Sequence, residues 1–93
     1  MDFLQLVWEV GKIAKPFHQD DLEKPDWETP FNEIGFDSLD LLLTGLYIGD
    51  IYGIPEEIGK TMQVKNCREL KEFVDQHKTQ EPESLESALE RIK

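Results

Sequence analysis

Apolar residues recur along this chain at helical spacing and mark out a series of amphipathic segments. Phe3, Leu6, Val7, Val10, Ile13 and Ala14 fall on one face, with Asp2 placed to cap the first turn. Lys15-Pro16 ends this helix, because proline disfavours helical geometry in the residue before it. Residues 16–34 form a long acidic connection with prolines at 16, 25 and 30. A connection of that length in a small domain needs anchors, and Leu22, Trp27, Phe31 and Ile34 are the candidates. A second helix is predicted from about Ser38 to Tyr52, where Gly53-Ile54-Pro55 breaks it. Pro55 opens a short third helix whose first turn suits Glu56 and Glu57. Asn66 to Glu69 reads as a capping box, followed by a helix with Leu70, Phe73, Val74 and His77 on one face. After a polar linker at 78–81, Pro82 starts a last helix with the stripe Leu85, Ala88, Leu89 and Ile92. Arg91 and Lys93 close it, which suits the helix dipole. At about ten residues that helix is marginal alone and needs a surface to pack on. β-branched residues are sparse and no alternating pattern appears, so the expected class is all-α.

The second helix carries two apolar faces. At about 100° per residue, Leu41, Thr44, Ile48, Ile51 and Tyr52 gather on one side. Leu39, Leu42, Leu43 and Leu46 gather on the other, near Asp50. One side must face the core. The other is a docking stripe unless the C-terminal helix folds back over it. Gly45 and Gly49 lie between the faces, each costing about 1 kcal/mol relative to alanine in a helix. They permit close approach of another chain or of an acyl group.

Ninety-three residues make one domain with a single small core and little room for a deep catalytic cleft. Twenty acidic against ten basic side chains give a formal charge of −10. That charge repels nucleic acid and anionic membrane and favours basic protein surfaces. No segment approaches the roughly 20 apolar residues of a membrane span. The N-terminus has no basic segment followed by an apolar stretch, so no signal peptide is expected. Cys67 is the only cysteine, which excludes an internal disulfide and fits a reducing, cytoplasmic setting.

The candidate chemistry sits in Gly35-Phe36-Asp37-Ser38-Leu39-Asp40. A glycine able to turn sharply precedes a serine held between two acids at the start of a helix. Alone, that pattern is an ordinary helix cap. A serine hydrolase is disfavoured: the histidines, His18 and His77, lie in a loop and near a helix end, and the glycines of a nucleophile elbow are missing. Cys67, His18 and His77 lack zinc-ligand spacing. Asp20-Asp21 lacks the alternating acids and central glycine of a calcium loop.

Taken with its surroundings, the stretch resembles the acyl carrier protein family. The resemblance covers roughly residues 3–77. It rests on Phe31…Ile34-Gly35-Phe36-Asp37-Ser38-Leu39-Asp40, on Gly53-Ile54-Pro55-Glu56-Glu57, and on Asn66-Cys67-Arg68-Glu69-Leu70-Lys71-Glu72-Phe73-Val74, in that order. It implies a four-helix bundle over 1–77 with a long first loop and a short third helix, here followed by an extension at 78–93. It further implies that Ser38 carries 4′-phosphopantetheine, attached by a phosphopantetheinyl transferase from coenzyme A. The protein would then be a carrier and not an enzyme, a monomer holding acyl thioesters for fatty-acid, lipid or polyketide enzymes with basic docking surfaces. Phe36, Asp37, Leu39, Asp40, Leu42, Leu43, Leu46 and Asp50 are the expected partner-recognition residues. Ile48, Met62, Val64 and Phe73 are the expected lining of an acyl pocket.

Four departures from the family pattern point to a specialised carrier. Leu42, Leu43 and Leu46 stand where glutamates are usual. The first loop contains Asp20-Asp21-Leu22-Glu23, the break after the second helix is short, and a tail extends past His77. A stand-alone peptidyl or aminoacyl carrier is the near alternative. A binding domain that uses the leucine stripe without modification is the distant one.

Overall fold

Asp2 opens α1 (Phe3–Ala14), its carboxylate accepting from the amides of Leu4 at 2.9 Å and Gln5 at 3.3 Å. These are donors that a first helical turn leaves without partners. The computed structural model describes residues 2–15 and 19–92. Pro16 and His18 therefore lie outside the described residues, and α1 ends at Lys15, whose amide bonds to the Gly11 carbonyl. Four more helices follow: α2 (Ser38–Ile51), α3 (Glu56–Gly59), α4 (Cys67–His77) and α5 (Leu85–Ile92). No strand occurs among the described residues.

α1 and α2 make the broadest helix contact, and α5 packs on both. The core joins Leu6, Val7 and Val10 of α1 with Ile48 and Ile51 of α2, Leu70 and Val74 of α4, and Ala88 of α5. Each large side chain buried there contributes about 1.5–3 kcal/mol, which offsets the weakness of such short helices in isolation. Of the two apolar faces of α2, the one carrying Thr44, Ile48, Ile51 and Tyr52 is the buried one.

The long first connection has its own structure. Short 3-10 turns occupy Gln19–Asp21 and Phe31–Glu33. Leu22, Phe31 and Ile34 are buried as anchors, and the Glu23 amide bonds to the Ile34 carbonyl at 3.0 Å. Trp27 differs from expectation: it is 41% exposed, stacks on Phe3 with ring centroids 6.0 Å apart, and holds α4 through its carbonyl, which accepts from the Arg68 amide.

The cap of α4 is shared differently from the sequence reading. Asn66 accepts from the Glu69 amide at 2.9 Å, whereas the Glu69 carboxylate reaches the Lys65 amide, one residue before the cap. α5 begins at Leu85 and not at Pro82, with the Ser84 hydroxyl accepting from the Ser87 amide.

Residues 78–81 do more than link. The amides of Thr79 and Gln80 both donate to the Tyr52 carbonyl, the Thr79 hydroxyl donates to Gly53, and the Gln80 side chain donates to Ile51. Arg91 completes the set by donating to the Asp50 carbonyl at 2.8 Å. The carbonyls of Ile51 and Tyr52 at the end of α2 are thus satisfied from 79–80, and that of Asp50, which also accepts from the Gly53 amide, gains a second donor.

The Thr44 hydroxyl is fully buried on the inner face of α2 and has no hydrogen-bond partner among the described residues. A buried polar group without a partner costs about 1–3 kcal/mol. Thr44→Val keeps the shape and removes the group. Chemical denaturation of this variant is expected to show a gain of about 1 kcal/mol.

Candidate functional site

The site is built at the entry to α2. Gly35 turns the chain with φ +100°, a conformation that side chains rarely adopt, and a Cβ there would collide with the Asp21 carbonyl. The turn drives Phe36 inward, 3% exposed, edge-on to Phe31 at 5.2 Å between ring centroids. Phe36 was expected at a partner contact. It is instead part of the core, because the loop that presents Ser38 needs an apolar anchor.

Asp37, not Ser38, caps α2. Its carboxylate accepts from the Asp40 amide at 2.8 Å, and the Asp40 carboxylate accepts from the Asp37 amide at 3.1 Å, which closes a reciprocal capping box. Lys15, from the end of α1, adds a third arm. Its ammonium donates to Asp40 at 2.9 Å and to the Gly35 carbonyl at 3.1 Å. Asp40 is 7% exposed, so the second of the flanking acids is an internal strut and not a surface contact. Asp37 remains exposed.

Burial alone would raise the Asp40 carboxyl. The Lys15 hydrogen bond, the Asp37 amide and the Lys15 charge outweigh that and hold it below its ordinary value. The same hydrogen bond, working against desolvation, raises Lys15. Asp75, held mainly by Lys71, is also lowered. A lowered carboxylate stabilises the fold above its unfolded pKa, and that stability is lost as pH falls through the folded value. Melting temperature is therefore expected to be flat in the neutral range and to fall below about pH 4, with a shallower fall in Asp40→Asn.

Ser38 is the first residue of α2 and is exposed. Because Asp37 and Asp40 perform the capping, the Ser38 hydroxyl has no hydrogen-bond partner among the described residues. Beside it runs a groove of about 580 Å³, whose lining includes Phe31, Phe36, Ser38, Leu41, Val64 and Lys65. The groove is held open by backbone: the Phe31 amide donates to the Lys65 carbonyl at 2.8 Å, and the Phe36 amide to the Phe31 carbonyl at 3.1 Å.

Leu39 and Leu42 are 63% and 43% exposed next to Ser38. Leu43 and Leu46 are half-buried, Leu46 lying toward Gly59 of α3. The end of the stripe nearest Ser38 is thus uncovered, and Leu46 at its other end faces α3. Asp50, at the far end of α2, is exposed and lies 3.8 Å from Arg91.

The four expected pocket residues do not meet around one cavity beside Ser38. Val64 lines the groove. Ile48 is fully buried in the core. Met62 fills the notch left by Gly45, where a Cβ would strike its terminal methyl. Phe73 packs on His77, the last residue of α4, with ring centroids 4.7 Å apart.

Cys67 is fully buried, and burial pushes its thiol up to about 12, so it is no nucleophile. No group of three or more metal-ligating side chains comes together among the described residues. No helix is long and apolar enough to cross a membrane among those residues. Sequence reasoning missed Lys15 and Lys65, the two cations of the site. Only the position of Lys15 near a helix C-terminus hinted at a role. Among family models, curated proteins and solved structures, none matches this chain.

Proposed function

We propose that the protein is an acyl carrier modified on Ser38 with 4′-phosphopantetheine. One observation carries the reading: an exposed serine hydroxyl with no hydrogen-bond partner among the described residues, presented on the first residue of a helix whose cap is supplied by its neighbours. The residues present fit a phosphodiester at that atom. The hydroxyl is accessible, and the start of α2 favours an anion. In the modification the serine oxygen gains the phosphopantetheinyl group, the nucleotide half of coenzyme A leaves, and the hydroxyl proton passes to a base on the transferase. When bound, the arm supplies a thiol that carries acyl groups as thioesters.

The chain's own residues present and position. Lys15, Asp37 and Asp40 fix the first turn of α2 and so fix where Ser38 points. Leu39 and Leu42 offer apolar contact beside it, and Asp37 and the overall charge of −10 draw basic surfaces of the transferase and of acyl-processing enzymes. The helix order, with a long first loop and a four-residue α3, accords with the carrier bundle. The uncovered leucines also favour a second reading, a binding domain that needs no modification. An aminoacyl or peptidyl carrier would use Ser38 in the same way.

Ser38→Ala separates presentation from folding. It is expected to take up no label from coenzyme A in the presence of an active transferase. Its stability should stay within about 0.5 kcal/mol of wild type, because no cap is lost. A large drop in melting temperature would give Ser38 a structural role instead.

A further inference from the structure

We propose that the groove between the first turn of α2 and the 30–36 loop seats the group carried on Ser38, with Lys65 meeting its phosphate. The inference rests on the carrier reading and adds where the arm lies and what cargo suits it.

Ser38 and Lys65 line the same groove, and Lys65 is the basic residue of a lining that also includes the acids Glu33 and Asp37. Its volume of about 580 Å³ falls in the size range of small-molecule sites. Phe31, Leu41 and Val64 give it apolar walls, and the Phe31–Lys65 backbone bond fixes those walls before anything binds. Lys65 makes no ion pair among the described residues, in a chain of charge −10. The ammonium groups of Lys12, Lys15, Lys60, Lys71 and Lys78 each lie within 4.0 Å of a carboxylate. Lys24, which also makes no ion pair among the described residues, lies 5.9 Å from the Trp8 ring centroid, so Lys65 is the unpaired lysine placed to meet a phosphodiester in this groove.

The rival seat, the seam between α2 and α3, holds a smaller pocket of about 220 Å³, lined by Leu46, Gly49, Asp50, Ile54, Glu56 and Gly59 and not by Ser38. Met62 occupies the Gly45 notch, a Cβ on Gly49 would already touch Ile54 at 3.7 Å, and Thr44 and Ile48 are fully buried. A chain running from Ser38 to that pocket along α2 must displace Met62 from the Gly45 notch. The outer groove needs no such displacement. It suits the arm with a short acyl or aminoacyl group.

The test is two-dimensional NMR of the full ¹⁵N-labelled chain before and after transfer from coenzyme A, with intact mass recorded on the same samples and Lys65→Glu alongside. The expected result is a mass gain with amide shifts concentrated at Asn32, Glu33, Val64 and Lys65, and loss of those shifts in modified Lys65→Glu. Shifts centred on Gly45, Gly49 and Met62, or confined to residues 37–39, would overturn the groove while the carrier reading stands. Absence of a mass gain would overturn both.

Discussion

A chain ending at Lys78 is expected to lose about 4 kcal/mol or more of stability, a large share of the roughly 5–15 kcal/mol that small domains possess. Two losses combine. The carbonyls of Asp50, Ile51, Tyr52 and Gly53 lose the donors that reach them from 79–91. Each such hydrogen bond contributes about 0.5–1.5 kcal/mol net. The fully buried Ala88 and the packed Leu85, Leu89 and Ile92 are removed as well, uncovering apolar surface on α1 and α2. A second truncation, ending at Glu81, keeps the capping segment and loses only α5, so it should fall between wild type and the shorter chain. Urea denaturation orders the three proteins, and a hydrophobic dye should bind the two truncated forms more strongly. Equal midpoints for wild type and the shorter chain would refute the structural role of 79–93.

Asp40→Ala is the point substitution expected to cost most near the site, about 2 kcal/mol. It removes one half of the capping box and the carboxylate that receives Lys15, leaving that ammonium with only the Gly35 carbonyl. Asp40→Asn preserves an oxygen for the Asp37 amide but not the charge, and should lose less. Asp37→Ala removes the other half of the box and leaves the Lys15–Asp40 hydrogen bond in place, although Lys15 loses the nearby Asp37 charge. Measuring the three by denaturation, with label uptake on Ser38 alongside, separates capping from the ion pair. If Asp40→Ala proved as stable as wild type, the strut joining α1 to the entry of α2 would be energetically idle.

Periodicity made most of the fold legible. The faces of α1 and α4 follow from apolar spacing alone, because those helices are amphipathic; α2 is apolar on both sides, and which side is buried depends on the elements that pack against it. The ends of helices were less legible. Asp37, Ser38 and Asp40 all stand at the entry to α2, and the ion pair that Lys15 adds to the box from 25 residues earlier has no local pattern. The role of residues 78–81 was hidden for a similar reason. Thr79 and Gln80 look like solvent-facing linker residues until α2 ends beside them. At the candidate site, Ser38 and the exposed Leu39 and Leu42 could be picked out from the sequence. Phe36 could not be told from a surface aromatic, since its burial comes from the Gly35 turn. Lys65 carries no local pattern at all, and its place in the groove comes from the backbone pairing of Phe31 with residue 65.

The central claim is tested most directly by intact-protein mass spectrometry. Wild type, Ser38→Ala and a known carrier as positive control would be incubated with coenzyme A and a broad-specificity phosphopantetheinyl transferase. The account predicts one added phosphopantetheinyl group on wild type and none on Ser38→Ala. Unmodified wild type beside a fully modified control would contradict it and turn attention to the exposed leucines as the surface of a binding domain.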